Sequence, residues 1–266
     1  MKKVKVFTLA ILMGCGAVFA QNSIRITVGG AVPLGNFGEV KIVKDDIAKW
    51  ALNPGDFSQK GGAGLGATLG LQGKIGIPSV SGLGVTLSMD FFYNNLNSDL
   101  KEYFDDIIDE TENNIDCDDF TIINQKYINF APMIGMNYEH PINDNFKLFV
   151  GFGVGPNFRK ITNYSTLYDW HETNVISGEK IYHTDEYKEE YDMNVTYAYK
   201  LGIGTVIGKR FVISLDYFGL GTAKAKGDYQ SDTYNTLTGK METESDNFKY
   251  GKITPRILTL SMGVKF

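Results

Sequence analysis

Large apolar residues recur at every second position over long stretches of this chain. At its C-terminal end Leu258, Leu260, Met262, Val264 and Phe266 alternate with Thr259, Ser261, Gly263 and Lys265. Strict alternation of this length marks a strand with one apolar face. The pattern returns in Ile24, Ile26 and Val28; in Leu65, Leu69, Leu71, Ile75 and Ile77; and in Leu83, Val85, Leu87, Met89, Phe91 and Tyr93. It returns again in Ile128, Phe130, Ile134, Met136 and Tyr138, and in Phe146, Leu148, Val150, Phe152, Val154 and Phe158. Val195, Tyr197, Tyr199, Leu201, Ile203 and Ile207 form another set, and Phe211, Ile213, Leu215 and Tyr217 complete it. Eight strands are predicted, each near the 9–11 residues or so that a tilted membrane strand needs.

The segments between them alternate in length. Residues 78–82, 139–145 and 208–210 are short connections, and those near 33–61, 95–125, 160–193 and 221–252 are long. Short turns at one end and long loops at the other are the layout of a transmembrane barrel. The fold class expected is all-β: an eight-stranded antiparallel up-and-down transmembrane β-barrel with long extracellular loops and both termini on the short-turn side.

Composition decides which face is outside. A soluble lipocalin-like barrel would also have eight strands, but with the apolar face inward. Here the second face is rich in Gly, Ala, Ser and Thr, which suits a cramped interior better than a solvated exterior. Its charges are few and of mixed sign: Arg25, Lys74, Asp90, Lys147, Lys200 and Asp216. An eight-stranded lumen is just wide enough to be filled by side chains, and unpaired charges there are costly. The six are therefore expected to form a lumen charge network, with Asp90 and Asp216 each within ion-pairing reach of one or more of the four bases.

Residues 1–20 read as a secretory signal peptide: Lys2, Lys3 and Lys5, then an apolar run from Val6 to Val18, then Ala20 before Gln21. The run is too short for a spanning helix. Leu12 to Cys15 resembles a lipobox, but the apolar run continues past Cys15, which favours cleavage after Ala20. The domain expected is then 21–266, with Cys117 as its one thiol. A net charge of −5 lacks the basic footprint of a nucleic-acid binder.

The leader, the eight alternating strands and the terminal aromatic resemble the small outer-membrane β-barrel proteins of the OmpA/OmpX type and their β-barrel-domain relatives in Bacteroidetes-like bacteria. Thr259, Ser261, Val264 and Phe266 resemble that family's assembly signal, with Ser261 where a Gly is usual. The resemblance implies a Gram-negative cell outer membrane, contact with its lipid, and insertion by the barrel assembly machinery. No peptidoglycan-binding domain is expected after the last strand.

Specific function is expected in the long loops. The second is acidic, from Asp99 to Asp119, and Leu100, Tyr103, Phe104, Ile107 and Ile108 predict a short helix capped by Ser98 or Asp99. A second short helix is expected over Asp45 to Leu52. The acidic run does not match a calcium loop and reads as a solvated face. The third loop holds Tyr164, Tyr168, Trp170, Tyr182, Tyr187 and Tyr191, and the fourth Tyr229, Tyr234 and Tyr250. Ser177-Gly178-Glu179 and Thr238-Gly239-Lys240 look like hairpin tips. His171 and His183 lack a metal-site spacing, and Ser165, Asp169 and His171 lack a nucleophile elbow. His140 is expected in a short turn. No cofactor and no enzymatic activity are expected. The leading expectation is a structural or surface-interaction protein with an unknown extracellular partner, against a narrow solute or ion channel and a lipid-modifying enzyme.

Overall fold

The computed structural model describes residues 22–38, 62–98, 117–123, 125–173 and 176–266. Eight strands close into one antiparallel barrel: β1 (Ser23–Leu34), β2 (Ala63–Gly76), β3 (Leu83–Leu96), β5 (Tyr127–Asn143), β6 (Phe146–Ile161), β9 (Asn194–Ile207), β10 (Phe211–Gly219) and β13 (Arg256–Lys265). Each pairs with its neighbour in chain order, and β13 closes on β1 with Ile26 opposite Val264 and Val28 opposite Met262. Backbone bonds between Ile24 and Phe266 seal that seam.

The alternation sorts cleanly onto two faces. Ile26, Val28, Leu69, Leu87, Ile134, Val150, Leu201, Ile203, Leu260 and Met262 all point outward and are exposed. In water a continuous apolar belt of this kind would be an association site. Around a closed barrel it is the surface that hydrocarbon covers, so this barrel spans a membrane. The inward positions hold the charges and the small residues. Gly202 shows why smallness matters there: a Cβ on it would lie 2.0 Å from Asp216 Oδ1. At Gly204 a Cβ would lie 2.4 Å from the Phe149 ring.

The short-turn end differs from the sequence expectation in one respect. Residues 139–145 were expected to be a turn, but β5 continues to Asn143 and only Asp144-Asn145 turn. Pro141 is accommodated beside a register shift between Pro141 and Asn143, the kind of site where a strand tolerates proline. His140 is consequently a strand residue opposite Leu148. Glu139, also in the strand, points into the lumen.

At the opposite end the strands outgrow the barrel. β4 (Cys117–Ile123), β7 (Tyr164–Thr173), β8 (Lys180–Tyr191), β11 (Ala223–Asn235) and β12 (Lys240–Ile253) form a second sheet in the order β12-β11-β8-β7-β4. Gly178 and Gly239, at the tips of the β7–β8 and β11–β12 hairpins, both have positive φ, a conformation glycine adopts without steric cost. β4 lies where an acidic loop was expected. The leader over 1–20 and the helices expected over 98–108 and 45–52 fall outside the described residues, except for Ser98.

Candidate functional site

Two places concentrate chemistry: the lumen and the sheet above it. Along β10 the inward residues read Val212, Ser214, Asp216, Phe218, and along β3 Thr86, Ser88, Asp90, Phe92, Asn94. These sequences stack the lumen in layers from the short-turn end upward.

The lowest layer is a cluster of cations around Glu139. Its Oε1 pairs with the Arg25 guanidinium, Lys74 Nζ lies 3.5 Å from the same oxygen, and Lys265 donates to Oε2 at 2.7 Å. Lys74 also donates to the Gly82 carbonyl at 2.7 Å. Arg25 reaches the Asn137 side-chain oxygen at 3.4 Å and lies 4.0 Å over the Phe149 ring. Phe149, Val206 and Val212 pack together at this level. Three cations thus share one carboxylate, and that carboxylate was hidden in the sequence by the assignment of residues 139–145 to a turn.

One level higher, Lys200 lies between two carboxylates. It donates to Asp90 at 3.1 Å and is 3.8 Å from Asp216. Ser88 donates to Asp90 at 3.0 Å and Ser214 to Asp216 at 2.8 Å, while Lys200 also lies 5.0 Å from the centre of the Phe218 ring. Of the six charges expected in the lumen, Lys200, Asp90 and Asp216 form this group, and Arg25 and Lys74 belong to the group below. Lys147 is half-buried and has no carboxylate partner among the described residues. Between the two groups lies an internal cavity of about 40 Å³ lined by Arg25, Asn137, Ser88, Asp90, Lys200 and Asp216, enough for a few water molecules.

Above the charges the lumen is apolar. Phe92 and Phe218 meet edge to face at 4.6 Å, and Phe37, from a single 3-10 turn at Gly35–Phe37, meets Tyr127 at 5.2 Å. Ile161, Leu220, Ile253 and Ile257 complete this plug. Arg159 is buried beside it and donates to the carbonyls of Ile253 and Ala223 at 3.3 Å each, while Asn157 donates to Leu220 at 3.2 Å. These bonds tie the base of the β11–β12 hairpin into the barrel mouth. Reading only for alternating apolar residues missed Phe92, Phe149 and Phe218, because each is a large side chain on the small-residue face.

The upper sheet carries the aromatic residues. Tyr187 stands between Tyr164 at 6.3 Å and Tyr229 at 5.9 Å. His183 lies between Trp170 at 4.6 Å and Tyr234, stacked at 3.7 Å. Asp185 accepts from Trp170 Nε1 at 3.0 Å and from the Tyr234 backbone at 2.7 Å, holding both rings on the imidazole. Glu189 is buried and accepts from Tyr187 at 2.8 Å and Tyr191 at 2.5 Å. Burial, with Glu189 directly opposite, pushes the Tyr164 phenol above its ordinary range. The imagined hydrolytic set does not assemble: Ser165 and Asp169 are four residues apart on one extended strand, roughly 13 Å at strand rise, and Asp169 accepts from Thr184 at 2.6 Å. No group of three metal-binding side chains occurs among the described residues.

The four residues that resemble an assembly signal divide between the faces. Thr259 and Ser261 are buried in the lumen wall, with the Thr259 hydroxyl donating to the Asp216 carbonyl at 3.4 Å. Val264 and Phe266 are exposed on the lipid face.

No protein-family model matches the chain, and no curated protein is similar to it. Among solved structures the chain is similar to the attachment invasion locus protein Ail of Yersinia pestis in complex with the heparin analogue sucrose octasulfate, at 12% identity over 92% of this chain and 99% of that one, with a TM-score of 0.37. It is similar to Neisserial surface protein A at 7% identity over 92% and 96%, with a TM-score of 0.39. The outer membrane protein OprG from Pseudomonas aeruginosa matches at 12% identity over 92% and 95%, with a TM-score of 0.37. Identities and scores this low assign no family to the chain.

Proposed function

We propose that this chain is a non-enzymatic outer-membrane barrel of a Gram-negative cell whose work is surface interaction through the sheet that its long connections build outside the membrane. The observation that carries the reading is the division of the molecule. The barrel lumen is filled by ion pairs and an apolar plug, whereas β4, β7, β8, β11 and β12 project beyond it, the last four with Tyr, Trp and acidic side chains. Aromatic side chains with polar tips are favoured at binding surfaces. Outer-membrane lipid surrounds the belt, the barrel assembly machinery is the insertion route, and the partner of the sheet is extracellular.

A test separates this from the channel alternative. The purified barrel in a planar bilayer should show no steady conductance, and whole cells whose β7–β8 hairpin is replaced by a short turn should lose a surface-binding activity while keeping normal barrel levels. Sustained conductance in the intact protein, unaffected by that deletion, would establish a channel instead.

A further inference from the structure

The outer rim of the barrel, where β11 and β12 leave the membrane, carries an arrangement of charge that the proposed function does not use. In the register of this hairpin Lys224 lies opposite Lys252, and Lys226 opposite Lys249. Like charges directly opposite on one sheet destabilise it, so two such pairs, one on each side of a register shift between Lys224 and Lys226, require an explanation. All four lysines are exposed; Lys224 and Lys226 alternate with the buried Ala225 and Gly227, and Lys252 precedes the buried Ile253. Lys224, Lys226 and Lys252 therefore point away from the lumen axis, toward the same side as the lipid belt.

The ladder continues downward into that belt. Thr222 and Thr254 share a hydroxyl hydrogen bond of 2.7 Å just below the first lysine pair. Arg256 is the next outward residue, exposed, two positions above the lipid-facing Leu258. Leu258 pairs with Tyr217, which lies 6.0 Å from Tyr199, and the neighbouring Tyr197 is 90% exposed. Tyrosines at this height form the interfacial girdle. Counter-ions on the protein are scarce. Lys226 is 3.1 Å from Asp192, with both side chains about half exposed, but Lys224, Lys249, Lys252 and Arg256 have no carboxylate partner among the described residues. Other rim lysines are engaged: Lys160 donates to the Tyr191 carbonyl, and Lys126 lies 5.9 Å from the centre of the Tyr93 ring.

We propose that Lys224, Lys252 and Arg256, with the Thr222–Thr254 hydroxyls between them, bind the phosphate groups of a lipid headgroup in the leaflet on the long-loop side. Lipid is the occupant because the ladder is continuous with the hydrocarbon belt: a molecule with acyl chains against Leu258, Leu260 and Tyr217 brings its headgroup to Arg256 and the threonines. Phosphate is the chemistry because it supplies the negative charge that the opposed lysines lack and accepts hydrogen bonds from hydroxyls and guanidinium. The inference rests on the outer-membrane reading, in which that leaflet contains phosphorylated glycolipid.

The test uses the full barrel in a zwitterionic detergent, titrated with bisphosphorylated lipid A, with its enzymatically dephosphorylated form and with inorganic phosphate. Binding is read by native mass spectrometry, and the β11–β12 hairpin by its rate of proteolysis. A triple variant, Lys224→Gln, Lys252→Gln and Arg256→Gln, removes three exposed cations without touching the core. A double variant at the short-turn rim, Lys209→Gln and Arg210→Gln, removes exposed cations at the other end. The unaltered barrel and the double variant should bind bisphosphorylated lipid A alike and protect the hairpin. The triple variant should bind on the order of a hundredfold more weakly, each cation near an anionic lipid surface contributing roughly a factor of five. Equal binding by the triple variant overturns the proposal, as does equal binding of the dephosphorylated lipid or full protection by inorganic phosphate alone. Heat-dependent gel migration of each variant is measured in parallel. Loss of the folded form in the unaltered chain refutes the membrane-barrel reading itself, whereas a folded barrel without selective binding refutes only the headgroup site.

Discussion

Replacing Glu139 with Gln should be among the most damaging single changes in the lumen. The carboxylate is the shared partner of Arg25, Lys74 and Lys265, and its removal leaves three cations in one cross-section of the barrel. Arg25 and Lys74 are about 5% and 6% exposed, so water compensates little, while Lys265 at 16% is better hydrated. Breaking one buried pair costs about 3–5 kcal/mol. The loss should stay near that value and not reach a multiple of it, because Arg25 keeps Asn137 and the Phe149 face, and Lys74 keeps the Gly82 carbonyl. Urea titration of the barrel in phospholipid vesicles, followed by the migration of unheated samples, measures the difference. Adding Lys74→Met to Glu139→Gln should recover part of the loss by removing one stranded charge, the coupling that a double-mutant cycle isolates. A Glu139→Gln barrel within about 1 kcal/mol of the original would refute the reasoning and mean that lumen water screens these cations, the cost of burying them having been overstated.

The middle layer should respond differently, because Lys200 is shared by two carboxylates. Asp216→Ala leaves the Lys200–Asp90 pair at 3.1 Å and should cost only about 1–2 kcal/mol, whereas Lys200→Met strands both acids and should cost about 3–5 kcal/mol in the same urea assay. Gly202→Ala places a Cβ 2.0 Å from Asp216 Oδ1, forcing that carboxylate off Lys200, and should lose roughly 1–3 kcal/mol as overpacking does. Deleting Phe266 should lower outer-membrane levels in cells while leaving refolding in micelles largely intact, since one exposed aromatic at the barrel end contributes at most a few kcal/mol by burial. Raising the pH through the tyrosine range should loosen the upper sheet before the barrel. The Tyr164 phenol is held above its ordinary value, so its contribution is complete below about pH 10 and is lost as the pH climbs through the folded value. Trp170 fluorescence would report this, and Tyr164→Phe should blunt it.

What the sequence made legible depended on how much of the physics is local. The barrel was readable because lipid imposes one rule on every outward position, and an alternating strand records that rule residue by residue. Ile203, Leu215 and Leu260 declare their face without knowledge of their neighbours. The lumen charges were readable as a set for the same reason, since Asp90, Lys200 and Asp216 interrupt a small-residue face. Their partners were not readable. Asp90 and Lys200 are 110 residues apart, and only strand register brings them to one level. Glu139 was lost at a boundary: a proline two residues on and a run of polar side chains resemble a turn, and the bulge that keeps this stretch in the strand has no local signature. The cross-strand lysines are similar. Each is an ordinary surface residue alone, and only the pairing of Lys224 with Lys252 and of Lys226 with Lys249 turns them into a feature.

The same reasoning explains why stability and recognition separate in this molecule. Inside the barrel fully buried charges such as Arg25, Lys74, Asp90 and Glu139 find their partners within the protein, because displaced water cannot serve them, whereas the half-buried Lys147 needs none. The result is a filled interior in which glycines such as Gly202 and Gly204 give up volume to Asp216 and Phe149. Outside the barrel that constraint lapses. Tyr182 and the acids of β12 are exposed to water, and the β11–β12 hairpin is anchored at its base by Arg159 and Asn157, whose bonds reach carbonyls at Ile253, Ala223 and Leu220. Changes toward the hairpin tips should therefore be cheap in stability, and changes at Arg159 should not. Arg159→Ala leaves the buried Ile253 carbonyl without this donor at about 1–3 kcal/mol, and the partly buried Ala223 carbonyl at less. It should release the β11–β12 hairpin to protease while the β13–β1 seam, held by its own backbone pairing from Arg25–Lys265 to Leu34–Arg256, keeps its protection.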